Sequence, residues 1–293
     1  EAVVNQSYRP ILQGIQKSPK VRLTLNVTGA LLELFDKNKY HDLIDTLKAL
    51  GKEGRIEFTG SAKYHAFLPL TEDEEITRQI KANNEALKYY LGAAYKPAGF
   101  FPPEMGWKEN LVPLIEEAGF KWVILDEIAY NGQVGQIDYK KIYKIKDSEL
   151  LVFFRERRLS NLIMSAVVRS RETLKEAMKD DLKSGRYLIT GMDGETFGHH
   201  RPGLEKLLFE IFQTPEFEFV KISDIPKVYK EVVEVEPINS TWASSEQDIE
   251  QNIQFLSWFD PGNDIHKLQW DFLHLVMDEF YKIDKKSTAY KSI

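Results

Sequence analysis

Residues 122–127 read WVILDE: four apolar residues in a row, closed by two carboxylates. A run so short and so uniformly apolar fits a strand buried on both faces, as in a parallel sheet. The same grammar recurs outward from it, in VRLTLNV (21–27), RIEFT (55–59), GFFPPE (99–104), LVFFRE (151–156), YLITGMD (187–193) and FEFVKISD (217–224). Between these runs lie helical patterns over residues 30–50, 74–91 and 172–185, the last ending on Gly185. Strand and helix alternate, which predicts parallel βα units. One interruption is residues 142–154, where Asp147-Ser148 separates two apolar runs and predicts a hairpin. From about residue 225 onward the pattern reads as mainly helical.

Six or seven βα units close into a barrel or stay open as a doubly wound sheet. The acids decide. Glu104, Asp126 with Glu127, Glu156, and Asp193 with Glu195 all fall at the C-terminal ends of their strand candidates, and His65, His199 and His200 follow strand ends too. In a barrel those ends converge on one mouth, where active sites are built. No Gly-rich phosphate loop follows the first strand candidate, as a nucleotide-binding sheet would usually require. A barrel over residues 1–225 with an acidic, aromatic-rimmed mouth is expected, followed by a helical region over 226–293 packed on it.

Composition narrows the chemistry. The 293 residues carry 39 Lys and Arg against 45 Asp and Glu, a formal charge of −6, with no basic stripe for phosphates. Neither nucleic acid nor a membrane is an expected partner; no apolar stretch approaches the roughly 20 residues that cross a bilayer. The chain contains no cysteine, which removes thiol nucleophiles, disulfides and thiolate metal sites. It begins at Glu1 and not Met, so the expectation is that an N-terminal piece, with any targeting signal, has been removed or was never included. The expected compartment is the cytoplasm.

Two segments carry most of the chemistry. In GFFPPEMGW (99–107), two prolines fix the chain and present Glu104 rigidly, the plain alternative being a solvated loop carboxylate. In GMDGETFGHH (191–200), three glycines let the backbone bend sharply around Asp193, Glu195, His199 and His200, the alternative being an ordinary turn whose acids cap a helix. Two carboxylates on different strand ends suit glycoside hydrolysis, one protonating the leaving oxygen while the other attacks or activates water. In a retaining arrangement they lie roughly 5 Å apart. At an effective dielectric of about 20 their repulsion is then ~3 kcal/mol, or about two pKa units, so an Asp near 3.9 would titrate around 6. The competing chemistry is a metal site built from Asp193, Glu195, His199 and His200, as in a metal-dependent deacetylase. Adjacent histidines on a helix point about 100° apart, which disfavours both reaching one ion. The expectation is no metal and no other cofactor.

GRIEFTGSAKYHAFLPL (54–70), GFFPPEMGW (99–107) and DGETFGHH (193–200), in that order, resemble the signature regions of glycoside hydrolase family 57, and FFRERRLSNLI (153–163) is similar to a further family segment. The resemblance spans most of the chain. It implies an incomplete (β/α)7 barrel followed by a helical region, acting on α-glucans or maltooligosaccharides with retention of configuration. Carried over residue by residue, it implies that Glu104 is the nucleophile and Asp193 the acid/base, and that His65 lies beside the scissile sugar and holds a hydroxyl. Tyr64 and Trp107 offer flat faces on which a sugar's C–H surface stacks, with core packing as the plain alternative for each. Glu195 and His199 join them as candidate substrate-binding groups. The resemblance leaves hydrolase, 4-α-glucanotransferase and branching enzyme open, with an α-amylase or pullulanase-like hydrolase favoured; a deacetylase or a non-catalytic glucan-binding protein are the rivals from other classes. Family members open with a short strand carrying a His-Gln-Pro-like motif, and no such segment occurs here, so the barrel is expected to lack its first strand.

The remaining candidates read more plainly. His41 is expected to be solvated, His266 and His274 to be packing or surface residues, and Trp242, Trp258 and Trp270 to pack more readily than to line sugar subsites.

Overall fold

In a computed structural model of the chain, residues 1–283 are described. They form two compact units, Glu1–Trp242 and the described residues from Ala243 onward, so the division falls 17 residues beyond the boundary read from the sequence at residue 225. The first unit is α/β. Its strands are β1 (Leu23–Leu25), β2 (Ile56–Phe58), β3 (Gly99–Phe100), β4 (Trp122–Asp126), β5 (Ile142–Ile145), β6 (Leu151–Arg155) and β7 (Val232–Val235). Its helices are α1 (Arg9–Lys17), α2 (Gly29–Lys37), α3 (His41–Lys52), α4 (Asp73–Leu91), α5 (Leu111–Glu117), α6 (Arg157–Met164), α7 (Arg171–Ala177), α8 (Asp181–Ser184), α9 (Glu205–Phe212) and α10 (Ile225–Val228). The second unit holds α11 (Glu246–Glu250) and α12 (Asp264–Tyr281).

Strands β1 and β2 pair in parallel, and the order β3-β4-β6-β5-β7 makes a second sheet whose first three members are parallel. A parallel bridge between Gly60 and Phe100 ties the exit of β2 to β3. β4 is buried at all five positions, as its unbroken apolar run requires. A Cβ on Gly99 would lie 2.0 Å from the Trp122 indole, so glycine is what lets β3 approach β4 here. The hairpin expected over 142–154 forms between β5 and β6, with Asp147 in the left-handed region at φ 57°.

Four sequence expectations are corrected. Residues 30–50 hold two helices, because the chain turns at Asn38–Tyr40 with Lys39 at φ 62°. Residues 187–193 run extended beside β6, where the Ile189 carbonyl accepts from the Glu156 amide at 2.8 Å, but they form no regular strand. A side chain takes the next bond: Arg155 Nε donates to the Gly191 carbonyl at 2.6 Å. Residues 217–224 form no strand either; the alternation there comes from Phe219 packing edge to face with both Phe217 and Phe212. And β7 lies in the stretch read as helical, its VVEV pairing parallel to β5. The closed or nearly closed barrel does not follow from these pairings; the class that does is α/β.

Candidate active site

Glu104 sits in a one-turn 3-10 segment, Pro103–Met105, directly after β3. Its own φ is 60° and that of Met105 is 48°, and His65 is left-handed too at 56°. Three non-glycine residues in this region cost free energy, of order 1–3 kcal/mol each, and such strain persists where surrounding structure over-determines it. Here the fixing is visible. His65 Nε2 lies 2.9 Å from Glu104 Oε1, and the Trp242 indole N–H donates to Oε2 at 2.8 Å. The Trp242 amide donates to the Glu104 carbonyl at 3.2 Å. These bonds, the one from His65 foremost, hold the Glu104 carboxyl below the usual range against a burial cost that pushes it up.

Asp193 heads the loop that runs through the 3-10 turn Gly194–Thr196. Its carboxyl is pushed above the usual range, first by burial, then by the charge of Glu195 and then by that of Glu104. The direction matches the expectation from paired acids, but the order of causes does not: desolvation and the charge of Glu195 outweigh that of Glu104. The two candidate carboxyls are thus close enough to interact, and their acidities are shifted in opposite directions.

The N-terminal segment braces this loop. Tyr8 donates its hydroxyl to Glu195 Oε1, Ser7 Oγ donates to the Gly194 carbonyl at 2.8 Å, and Gln6 Oε1 lies 2.7 Å from His199 Nδ1. A Cβ on Gly198, whose φ is 106°, would lie 2.0 Å from the Gln6 carbonyl oxygen, so only glycine lets the two segments close. Burial and the neighbouring Glu195 raise the Tyr8 hydroxyl well above its ordinary range, so it stays a donor.

Arg155, at the end of β6, links the two halves. It is 2% exposed, and its Nη1 donates to Asp126 Oδ2 at 2.7 Å while Nη2 donates to Asn161 Oδ1 at 2.9 Å. Its Nε holds Gly191, two residues before Asp193, and its guanidinium lies 5.7 Å from the Trp242 ring centre. One buried cation therefore touches both the strand exit that carries Asp193 and the indole that holds Glu104.

Of the acids at strand ends, only some face the site. Asp126 is 1% exposed and paired with Arg155 and Arg157. Glu127 accepts from the Arg157 and Gly135 amides at 2.7 and 2.8 Å, and Glu156 caps α6 by accepting from the Leu159 amide at 2.6 Å. Their charges serve the scaffold. Trp107 is also corrected: at 1% exposure, with its indole N–H on the Pro237 carbonyl at 3.2 Å, it offers no face to a sugar. Tyr64 is 54% exposed, with the Lys63 ammonium 5.1 Å from its ring centre. His200 lies next to His199, ring centres 5.3 Å apart. Among the described residues no three His, Asp or Glu side chains converge as ligands for a metal ion. In the second unit, Trp270 donates to the Trp258 carbonyl at 2.8 Å and stacks near His274, and His266 Nδ1 accepts from the Asp260 amide at 3.0 Å.

Comparison with known proteins follows this geometry. The chain is 27% identical over 226 residues to an α-amylase of Pyrococcus horikoshii, covering 76% of this chain and 35% of that protein. It is 28% identical over 215 residues to a 4-α-glucanotransferase of Thermococcus litoralis, covering 72% and 31%. The chain thus spans about a third of the length of these relatives. Among solved structures, a branching enzyme from Pyrococcus horikoshii superposes with a TM-score of 0.76 at 17% identity, over 97% of this chain and 74% of that one. The 4-α-glucanotransferase of Thermococcus litoralis gives 0.69 at 20% identity, over 92% and 43%. These likenesses fix the fold, and the family follows from the match of residues 1–237, the stretch that holds Glu104, Asp193 and His65: the chain belongs to glycosyl hydrolase family 57.

Proposed function

We propose that this chain carries the catalytic centre of a retaining α-glucan hydrolase of the α-amylase or pullulanase-like kind, with Glu104 as nucleophile and Asp193 as acid/base. The observation that carries the reading is the opposed acidity of the two carboxyls, Glu104 held down by His65 and Trp242 and Asp193 raised by burial and Glu195. Shifts in these directions favour an ionised Glu104 beside a protonated Asp193, which is what a double displacement needs. Glu104 attacks the anomeric carbon as Asp193 protonates the departing glycosidic oxygen; Asp193 then takes a proton from water, which resolves the glycosyl-enzyme. His65 and the exposed Tyr64 line the sugar side, with Glu195 and His199 shaping the loop around the acid. In this reading β1 to β4, β6 and the extended 187–191 segment are the staves of an incomplete (β/α)7 barrel, supported by the bridge that joins its two sheets.

Product analysis on maltooligosaccharides tests it: shorter sugars alone are expected, whereas longer ones would make the acceptor a second glucan and the activity a transfer. Asp193→Asn is expected to fail chiefly on substrates with poor leaving groups; equal loss on activated aryl glycosides would remove its acid role.

The pH profile of kcat/KM should be bell-shaped. Its acid limb reports protonation of Glu104, which is held low, and its alkaline limb reports ionisation of Asp193, which is held high. His65→Ala removes the leading cause of the Glu104 depression, so the acid limb should move to higher pH, with kcat falling by about 10²-fold as for loss of one positioned donor. An unmoved acid limb in that variant would separate His65 from the nucleophile.

A further inference from the structure

Away from Glu104, the ends of α2, α3 and α4 border a shallow, open depression of about 410 Å³ lined by Asp36, His41, Ile44, Asp45, Tyr89 and Tyr90. Tyr89 is 80% exposed, the most exposed large side chain of the first unit's core-type residues. Its ring is nevertheless oriented: Tyr90 packs against it at 4.9 Å between centres and 85° between planes. Tyr90 in turn donates to Asp36 Oδ2 at 3.2 Å, and His41 Nε2 lies 3.0 Å from Asp36 Oδ1. One carboxylate is thus pinned from both sides with lone pairs left over, a second, Asp45, lies beside it, and a flat aromatic face is held open to solvent.

A braced ring beside two carboxylates, one of them pinned, is the chemistry of pyranose recognition. The C–H face of a sugar packs on the ring, and vicinal hydroxyls donate to carboxylate oxygens. An α2 residue one turn before Asp36 connects the hollow to the reaction centre: Glu33 pairs with Lys63 at 2.7 Å, Lys63 lies over Tyr64, and Tyr64 precedes the His65 that holds Glu104. We propose that this hollow is an auxiliary subsite for an α-glucan chain, with Tyr89 as the stacking platform and Asp36 and Asp45 as acceptors of sugar hydroxyls. It rests on the reading of an α-glucan as substrate, and it adds a second place on the chain where a long glucan is held.

Affinity electrophoresis in native gels cast with soluble amylose tests it on the whole chain, on Tyr89→Ala, on Tyr89→Phe and on Asp45→Asn. The chain should be retarded by amylose, Tyr89→Ala should raise the apparent Kd about tenfold, and Tyr89→Phe should restore the original value within about twofold, because the ring and not the hydroxyl does the stacking. Asp45→Asn should weaken retardation as well, a second readout should the Tyr89→Ala chain fold poorly. Equal retardation of Tyr89→Ala and the parent overturns the subsite, and so does a parent that amylose does not retard. Sugar release from maltotriose by the unaltered chain is scored separately: release without Tyr89-dependent retardation sinks only the subsite, and Tyr89-dependent retardation without release sinks only the proposed activity.

Discussion

Glu104→Gln is expected to lower kcat on maltooligosaccharides by at least about 10³-fold while leaving the fold in place. The change keeps the shape of the side chain and removes the charge assigned the attack in the proposed mechanism. The Trp242 N–H still finds the amide oxygen, so the indole bond that orients the side chain survives in part. The backbone at φ 60° is as strained with Gln as with Glu, so stability should move by under about 1 kcal/mol. Glu104→Ala supplies the sharper test. With the carboxylate gone and a pocket in its place, added azide should attack the anomeric carbon, restore part of the turnover and give a β-glycosyl azide. Wild-type rates in either variant would remove Glu104 from the chemistry.

How much of this was legible in the sequence follows from what each feature depends on. Strand β4 announced itself because it is buried on both faces and needs no partner side chain to explain its apolar run. The 187–193 segment looked the same but is held by scattered backbone bonds to Tyr139 and Glu156 and by the side chains of Arg155 and Ser160, a long-range arrangement that leaves no periodicity in the local sequence. Glu104 and Asp193 stood out through their prolines and glycines, which report backbone demands at the position itself. Two of the groups that brace them did not. Trp242 is 138 residues from Glu104, and Tyr8 is 187 residues from Glu195; neither lies in a motif whose spacing hints at the pairing. Trp107 misled in the opposite direction, since its closeness in sequence to Glu104 says nothing about which way an indole turns. Asp126, Glu127 and Glu156 misled because a carboxylate at a strand end serves equally well as an ion-pair partner or a helix cap, and only the placement of Arg155, Arg157 and the Leu159 amide decides between them.

Arg155 is where stability and catalysis meet, and Arg155→Met is expected to cost both. The guanidinium is desolvated, which by itself is unfavourable, and it is compensated by Asp126, the Gly191 carbonyl, Asn161 and the face of Trp242. Methionine fills much of the volume but leaves Asp126 with only Arg157 as a cationic partner, at 1% exposure. Breaking a buried pair from one side typically costs about 3–5 kcal/mol, since an uncompensated charge is left behind. Denaturant unfolding should show a loss of that size. The loss should shrink in the Arg155→Met, Asp126→Asn double variant, because the stranded charge is then removed as well. The same substitution frees the Gly191 carbonyl and withdraws the cation under Trp242, so Asp193 and Glu104 lose a common support. At temperatures where the variant is still folded, kcat should therefore drop by at least about tenfold with a smaller change in KM. A folded Arg155→Met protein with unchanged kcat and a stability loss under about 1 kcal/mol would mean that Arg155 neither anchors Asp126 nor joins the two catalytic loops.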